Sequence, residues 1–484
     1  MRTRAVISAV AFTWLTAFSL LACTSSSPEP FHLVLAQGRV LDPETQLDAV
    51  RWLGIRDGRI EAISDSPLEA LDTLDASGLV VAPGFIDLHA HGQDDENYRL
   101  FALNGVTTAL EMEVGTGDVE AWYAERAHGT LINHGVSVGH LPVRMALYGD
   151  AGDLLPSGAG GYTVASEGEV AEIRGGIRRG LAAGALGVGM GIQYSPGATR
   201  WEVLEIFREA AEHNTPVFVH PRAFGESEPG GSVEAFLEVM GAAALTGAPL
   251  HIAHLNSMSL AETPRTLQMV EEAVSRGMDI STEAYPYSAG LTSIQSALLD
   301  QYEGAPDLVL AQLQWPATGE RLNSESFARY RAQGGWVVLH LNTPEMEALA
   351  VEHPLTAIAS DGGLREGVGH PRTSGTYARV LGHYVREKGS LSLMQALEKM
   401  SLIPARRLES WAPAFRTKGR IQVGADADLA IFDPATVQDR STYAEPGIPA
   451  VGFRHVLVNG VPVVREGEVV EGVTPGRGVR SGSY

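Results

Sequence analysis

The sequence of 484 residues contains one cysteine, Cys23, so no disulfide within the chain can stabilise the fold. Positive charge is also scarce: 36 Lys and Arg stand against 58 Asp and Glu, and the formal net charge is −22. This balance argues against nucleic acid or an anionic membrane surface as a partner. Hydrophobic residues make up 44% of the chain, as in globular proteins, so we expect a large hydrophobic core to hold the protein together.

Long apolar runs are rare, and the one near the start is too short to span a membrane. Two arginines precede an apolar stretch at residues 5–18, the pattern of a signal peptide. The segment Leu20-Leu21-Ala22-Cys23 then resembles a bacterial lipobox, which implies cleavage before Cys23 and lipid attachment to its thiol. We therefore expect residues 1–23 to be a lipoprotein signal peptide and residues 24–30 a tether. This predicts a periplasmic protein that contacts the outer membrane only through its lipid anchor.

The two ends of the mature chain share a pattern of short β segments separated by turns. Residues 31–82 contain four such segments, with Asp57-Gly58 as a typical hairpin turn. Residues 413–484 contain a similar series, and neither end has enough strands for a stable sheet alone. The sequence therefore predicts one small β-sandwich domain formed from both termini.

Residues 83–412 alternate between strand-length apolar runs and helical stretches, which predicts α/β structure. The eight runs are residues 79–91, 106–114, 136–144, 185–194, 216–222, 249–256, 279–287 and 355–361. Eight strand–helix units with parallel connections match a TIM-type (β/α)8 barrel, and an open parallel sheet is the alternative. Residues 288–342 add helices and one strand before the last barrel strand, so we expect an insertion on the loop side.

The first barrel strand carries a candidate metal motif, His89-Ala90-His91. Residues two apart in a strand point to the same side, so both imidazoles could reach one metal ion. Two paired surface or core histidines are the alternative. The active site of such barrels lies at the carboxyl ends of the strands. The polar residues at those predicted ends are His89, His91, Glu111, Glu113, His140, Tyr194, His220, Arg222, His254, Tyr285, Tyr287 and Asp361.

The grouping of histidines and Asp361 at these ends resembles the amidohydrolase superfamily. Within it, five segments resemble the branch of D-aminoacylases, the N-acyl-D-amino-acid deacylases. These segments are Gly184-Ala185-Leu186-Gly187, Gln193-Tyr194-Ser195-Pro196, Tyr285-Pro286-Tyr287, Ser360-Asp361-Gly362 and the run from His370 to Gly382. The resemblance implies a metal-dependent enzyme that hydrolyses the amide bond of N-acyl-D-amino acids. It also implies His89, His91, His220 and His254 as metal ligands, with Asp361 as the catalytic proton carrier.

Members of this superfamily usually join two metals through a modified lysine or a glutamate, and the D-aminoacylase branch often uses a cysteine. Cys23 lies in the lipobox, and all lysines follow the last predicted barrel strand: Lys388, Lys399 and Lys418. A carboxylate of the second strand remains, where Glu111 and Glu113 share a face. We expect Glu113, nearer the carboxyl end, to be the ligand. Glu111 would support it, replace it as ligand, or form a salt bridge to Arg144.

Imidazole and carboxylate ligands favour zinc, in one or two ions, with manganese, cobalt or iron as substitutes. A small-molecule substrate with a free carboxylate needs a cation, and Arg222 and Arg372 are the candidates, with Tyr285 as a further donor. Asn256 departs from the branch, which usually has a basic residue at this position, so a neutral or peptide-like substrate stays open.

Two other functions remain open. A dipeptidase or a cyclic-amide hydrolase would use the same barrel and metal site. A non-catalytic periplasmic binding lipoprotein would be expected to lack the ligands, and this sequence carries them. The sequence does not indicate an oligomeric state.

Overall fold

The computed structural model describes Met1 and residues 29–482. The predicted signal peptide, the lipobox with Cys23 and most of the tether lie outside these residues. Among the residues described, no helix combines the length and the hydrophobicity needed to cross a bilayer.

The centre of the chain forms an eight-stranded parallel sheet in which neighbouring strands follow one another in sequence. Its strands, numbered here as barrel strands one to eight, are Phe85–Asp87, Val106–Thr116, Asn133–Gly139, Val188–Gly191, Val217–His220, Leu250–Ile252, Ile280–Ala284 and Thr356–Ile358. Each overlaps one of the eight predicted runs. The predicted (β/α)8 barrel is therefore confirmed.

Barrel strands one and eight close the ring through residues that lie just beyond their ends. Ala90 forms a single parallel bridge with Gly362, and the backbone N–H of His91 donates to the Gly362 carbonyl at 2.8 Å. The backbone N–H of Ser360 donates to the buried Asp87 carboxylate at 3.0 Å. The junction between the two strands is thus short and lies directly beside the predicted metal ligands.

Helices follow the strands and cover the barrel. The Thr199 hydroxyl accepts the Glu202 N–H at 3.1 Å and starts one helix, and Ser166 and Glu169 form a capping box at the start of another. The α-helices are Asp95–Ala102, Val119–Glu125, His140–Tyr148, Ala159–Tyr162, Glu167–Ala182, Arg200–Glu212, Ser232–Thr246, Leu255–Ser259, Thr263–Ser275, Asp307–Leu310, Ser324–Gln333, Pro344–Glu352, Arg372–Arg379, Leu393–Leu397 and Ile403–Leu408. The 3₁₀ helices are Ile192–Tyr194, Leu260–Glu262, Ala297–Tyr302 and Pro413–Thr417, and the π-helical segments are Val380–Glu387 and Glu398–Leu402.

Both ends of the described chain join one mixed sheet of nine strands, as the sequence predicts. The strands are Phe31–Asp42, Leu47–Arg56, Arg59–Ser64, Ala70–Asp75, Val80–Pro83, Leu429–Phe432, Phe453–Val458, Val461–Arg465 and Glu468–Val469. Leu429–Phe432 pairs with Val80–Pro83 and so connects the two halves. Gly84 joins this sheet to barrel strand one, and a Cβ there would lie 2.2 Å from the Thr107 hydroxyl, so only glycine fits.

Two segments inside the predicted C-terminal half of the β domain pack against the barrel instead. Phe415 and Val479 share a core with Ile86 and Leu110 of the barrel strands. The Val479 N–H also donates to the His134 carbonyl at 2.8 Å. The chain therefore returns to the barrel after leaving the nine-stranded sheet.

Residues 288–342 form a four-stranded sheet of their own at the mouth of the barrel. Its strands are Gly290–Ser293, Leu313–Trp315, Glu320–Arg321 and Trp336–Leu339. Its apolar side chains, such as Leu313 and Val337, share a core with Leu155 and Tyr194 from the loops above barrel strands three and four. A two-stranded hairpin, Leu364–Arg365 with Val368–Gly369, follows barrel strand eight. These elements form the walls of the site.

Candidate metal centre and active site

His89 and His91 project together from the end of barrel strand one. Their Nε2 atoms lie 3.1 Å apart, and the rings meet edge to face with centroids 4.8 Å apart. The alternating direction of side chains in an extended segment accounts for this shared orientation. Both imidazoles therefore present one nitrogen to the same point inside the mouth of the barrel.

Glu113 lies between this pair and a second pair of histidines. Its Oε2 atom is 2.8 Å from His89 Nε2 and 3.4 Å from His91 Nε2. Its Oε1 atom is 2.8 Å from His220 Nδ1 and 3.7 Å from His254 Nε2. One carboxylate thus faces both pairs, the position that a ligand shared by two ions needs.

Asp361 lies opposite Glu113, after barrel strand eight. Its Oδ1 atom is 3.2 Å from His91 Nε2 and 3.5 Å from His89 Nε2. Its backbone has φ of 51°, and His254 has φ of 31°, both in the left-handed region that side chains other than glycine rarely adopt. Such strain is typical of functional sites that the surrounding structure holds in place.

These residues form two groups whose ligand atoms all lie within 4.8 Å of one another. The groups are His89, His91, Glu113 and Asp361, and Glu113, His220 and His254. Glu113 Oε1 and His220 Nδ1 are buried and, although they are close, they have no hydrogen-bond partner among the described residues. Orphaned buried polar atoms are costly unless a cation meets them. The donor set fits one or two divalent ions, with zinc favoured.

The electrostatics of the cluster also call for a cation. Burial alone would lower the pKa of His89, but Asp361 and the neighbouring glutamates outweigh burial and raise that pKa well above its ordinary value. The pKa of His91 is raised in the same way, mainly by Glu111. Burial would raise the pKa of Glu113, yet the histidines hold it well below its usual range. The negative charge of the cluster thus exceeds what neutral histidines can balance.

Glu111 supports His91 instead of entering the centre. Its Oε2 atom is 2.8 Å from His91 Nδ1, and its Oε1 atom accepts the Val114 N–H at 3.2 Å. A carboxylate on the outer nitrogen fixes the tautomer and the orientation of a ligand histidine. The alternative salt bridge from Glu111 does not form, because Arg144 pairs with Glu202.

Glu283 is a functional residue that the sequence reasoning missed. Its Oε1 atom is 2.5 Å from His89 Nδ1, and its Oε2 atom is 3.0 Å from His251 Nε2. Burial would raise the pKa of Glu283, but His89 and His251 lower it to about 2, so it remains a carboxylate. It orients His89 as Glu111 orients His91. Its one sequence signal is an acid in the otherwise neutral barrel strand seven.

Arg372, predicted to bind substrate, lies beside Asp361. Its Nη1 atom is 2.8 Å from Asp361 Oδ2, and its guanidinium stacks on the ring of Tyr285, 4.7 Å from the centroid. The Arg372–Asp361 contact does not have the geometry of a hydrogen bond. Arg372 Nε and Nη1 therefore have no hydrogen-bond partner within the described part of the chain. Arg372 therefore retains donors for a ligand. Burial would raise the pKa of Asp361, but Arg372 holds it well below its usual range.

Arg222, predicted to bind substrate, points away from the metal centre in the structure. Barrel strand five ends at His220, and the guanidinium of Arg222 turns away to form a double hydrogen bond with Glu238, at 2.8 and 2.7 Å. Arg222 does not line the cavity above the metal centre. The alternative role, an ordinary salt bridge, fits the structure.

Several other candidates lie outside the centre. His140 begins a helix, and its Nε2 atom lies 2.8 Å from Glu202 Oε1. Asn256, where the D-aminoacylase branch usually has a basic residue, donates to the Tyr285 carbonyl at 3.1 Å. All lysines lie elsewhere: Lys388 pairs with Glu352, Lys399 with backbone carbonyls and Lys418 with Asp428.

A cavity of about 690 Å³ opens above the metal centre. His91, Glu113, Asp361 and Arg372 form part of its lining. About half of the other side chains around it are apolar: Val114, Leu154, Leu155, Phe224, Met258, Leu260, Leu291, Leu298, Leu339 and Leu341. A largely apolar cavity with a few convergent polar groups is typical of a site for a small molecule.

A closed parallel barrel with clustered histidines and carboxylates at the carboxyl ends of its strands defines a metal-dependent hydrolase of the (β/α)8 class. Residues 72–137 and 147–464 match the model of the amidohydrolase family. The chain belongs to this family, which confirms the family predicted from the sequence.

Known proteins similar to the chain act on acylated D-amino acids. The D-aminoacylase of Alcaligenes xylosoxydans xylosoxydans is 30% identical over 490 residues, which cover 92% of this chain and 96% of the relative. The N-acyl-D-glutamate deacylase of the same organism is 29% identical over 488 residues, covering 90% and 94%. The crystal structure of N-acyl-D-glutamate deacylase from Bordetella bronchiseptica, complexed with zinc and a phosphonate inhibitor, has a TM-score of 0.79 and 26% identity, covering 93% of this chain and 100% of that one.

A second solved structure concerns the metal centre directly. A D-aminoacylase described as having a binuclear metal centre is similar to this chain with a TM-score of 0.79 and 26% identity, over 93% of this chain and 100% of that one. The shared carboxylate of Glu113, which faces both pairs of histidines here, fits a centre of the same kind.

Proposed function

We propose that the protein hydrolyses the amide bond of N-acyl-D-amino acids, releasing a carboxylic acid and a free D-amino acid. The observation that carries the proposal is the position of Glu113 between two pairs of histidines, with Asp361 and Arg372 beside it. The D-selective deacylases among its relatives support the D configuration.

The metal would be held by the two groups that share Glu113. When bound, a divalent ion lowers the pKa of water and polarises a carbonyl oxygen, so that hydrolysis can proceed near neutral pH. Zinc fits the nitrogen and oxygen donors best, with manganese, cobalt or iron as substitutes. Glu111 and Glu283 keep His91 and His89 in the orientation that metal binding needs.

Asp361 would carry the proton in the reaction. Its Oδ1 atom faces the ligand histidines, and Arg372 lowers its pKa, so Asp361 is ionised and can act as the acceptor for a proton of the attacking water. The water oxygen bonds to the amide carbon, the C–N bond breaks, and Asp361 passes the proton to the leaving nitrogen. The carboxylate is then regenerated for the next turnover.

Arg372 would bind the α-carboxylate of the substrate through its unused donors, with Tyr285 holding the guanidinium in place. The side chain of the substrate would lie against apolar walls such as Phe224, Met258 and Leu298. An apolar D-amino acid fits these walls better than an acidic one, because a buried carboxylate there would have no cation to pair with.

A substrate panel tests this function with the zinc-loaded enzyme. We expect turnover of N-acetyl-D-leucine, with weaker turnover of N-acetyl-D-glutamate and N-acetyl-L-leucine. L-dipeptides and hydantoins probe the dipeptidase and the cyclic-amide hydrolase, which share this barrel. Activity confined to either of these last two classes would refute the proposal. Asp361→Asn serves as the inactive control.

We also propose that the mature protein is anchored by lipid at Cys23 and lies in the periplasm at the outer membrane. The lipobox resemblance supports this proposal. Labelling of cells with a palmitate analogue should mark the wild-type protein and leave Cys23→Ala unlabelled. A wild-type protein recovered without lipid from the soluble fraction would contradict it.

A further inference from the structure

A second cleft lies beside the active-site cavity at the mouth of the barrel. It is open to solvent and about 790 Å³ in volume with its open mouth included, and we call it the outer cleft. Leu154 and Leu155 line both spaces, so these two side chains form a common wall. The outer cleft and the active-site cavity are therefore neighbouring spaces.

Two paired strands of the inserted sheet run from the cavity to the outer cleft. Gly290 pairs with Leu339 at one end, and Ser293 pairs with Trp336 at the other. The first pair lines the cavity, and the second pair lines the outer cleft. Because a strand advances about 3.4 Å per residue, the three steps between these pairs span about 10 Å.

The chemistry of the outer cleft differs from that of the cavity. The cavity walls are largely apolar, whereas the outer cleft presents the amide side chains of Gln295 and Gln333, neither of which makes a hydrogen bond within the described part of the chain. Trp336 offers an aromatic face, with the Arg365 guanidinium 5.3 Å from the ring centroid. Side-chain amides both donate and accept hydrogen bonds, as peptide groups do.

We propose that the outer cleft binds the distal part of the acyl group, and that the preferred substrate is a peptide-like N-acyl-D-amino acid with two or three amide-linked residues before the scissile amide. This inference rests on the proposed function, in which Arg372 binds the α-carboxylate, so that only the acyl part of the substrate can be longer. An extended chain covers about 3.3–3.6 Å per residue, so three residues cover about the same length as the strand segment between the two lining pairs. Hydrolysis would release a short peptide with a new carboxylate and a free D-amino acid.

The test compares three substrates on the zinc-loaded enzyme: N-acetyl-D-leucine, N-acetyl-triglycyl-D-leucine and N-octanoyl-D-leucine. We expect kcat/KM for the triglycyl substrate to exceed that for the acetyl substrate about tenfold, the gain that one or two new hydrogen bonds supply. Gln333→Ala and Trp336→Ala should each bring this ratio down toward one. Gln333 is exposed at the end of its helix, so its replacement leaves the fold intact.

Trp201→Ala is the matched control, because Trp201 is 55% exposed on helix Arg200–Glu212 and lines neither space. It should leave the ratio unchanged. If the wild type hydrolyses N-acetyl-D-leucine but its kcat/KM for the triglycyl substrate is about the same, this inference alone is overturned. The same holds if N-octanoyl-D-leucine shows an equal gain in kcat/KM that Gln333→Ala does not reduce. No turnover of any of the three would overturn the proposed function and this inference with it.

Discussion

Replacing Glu113 by glutamine is the sharpest test of the metal centre, because this carboxylate serves both ligand groups. The substitution keeps the size of the side chain and removes its charge. The group with His89 and His91 would fall from four ligands to three, and the group with His220 and His254 from three to two. Catalytic zinc sites use about three protein ligands, so we expect the second ion to be lost and the first to be weakened.

Glu111→Gln is the matched control, two residues earlier in the same strand. Glu111 contacts His91 on the outer nitrogen, so its loss should leave the number of bound ions unchanged. Removing such a supporting carboxylate typically costs about 10- to 100-fold in metal affinity or activity. Glu113→Gln should therefore lose more than about 100-fold in kcat/KM, since it removes a direct ligand.

The assay combines zinc per chain after dialysis, measured by mass spectrometry, with kcat/KM for N-acetyl-D-leucine and circular dichroism as a check of folding. We expect Glu113→Gln to hold at least one ion fewer per chain than the wild type. If Glu113→Gln keeps the full metal content while Glu111→Gln loses it, the roles assigned to the two glutamates are reversed.

Three further predictions concern the proton carrier, the substrate cation and a buried lysine. Asp361→Asn should retain metal and fold but lower kcat about 10²- to 10⁴-fold, and unchanged turnover would remove Asp361 from its role. Arg372→Met should raise KM for N-acetyl-D-leucine about 10- to 100-fold, which is what the loss of a hydrogen bond to a charged group costs. Arg222→Met, the control, should leave KM near that of the wild type, and equal effects of the two substitutions would refute the assignment of Arg372. Burial lowers the pKa of Lys399 to about 7 in the folded state from 10.5, so the unfolded chain binds more protons between these values. The free energy of unfolding in urea should be measured for the wild type and for Lys399→Met. We expect the wild-type value minus the Lys399→Met value to rise from pH 7 to 10.5 by at most about 1.4 kcal/mol per pH unit. A difference that stays constant with pH would contradict the lowered pKa of Lys399.

The barrel could be predicted from the sequence because its signals are local. Each barrel strand is a short apolar run, and each lies inside or overlaps a predicted run, from 79–91 to 355–361. The His89-Ala90-His91 spacing likewise fixes a shared direction through the geometry of one strand. The absence of any lysine or cysteine within the eight predicted barrel runs restricts the shared ligand to Glu111 or Glu113.

The rest of the site depends on contacts across the barrel, which local patterns do not reveal. Glu283 meets His89 across 194 positions of sequence, and nothing in its neighbourhood marks it as a partner. Arg222 lies two residues beyond His220, where the strand has ended, so strand alternation no longer sets its direction and its guanidinium pairs with Glu238. His140 follows directly after barrel strand three, which ends at Gly139, and its side chain contacts Glu202.

The short junction between barrel strands one and eight links metal loading to the thermal stability of the whole barrel. One bridge from Ala90 to Gly362 and a few hydrogen bonds join these strands, and His89, His91 and Asp361 lie directly beside them. An ion bound by residues of both strands would strengthen this junction. A ligand that binds only the folded state adds about 2.7 kcal/mol at a hundred times its dissociation constant. Removal of the metal by a chelator would then lower the stability of the barrel as well as abolish catalysis. We expect the metal-free protein to be cleaved by proteases faster than the metal-bound protein.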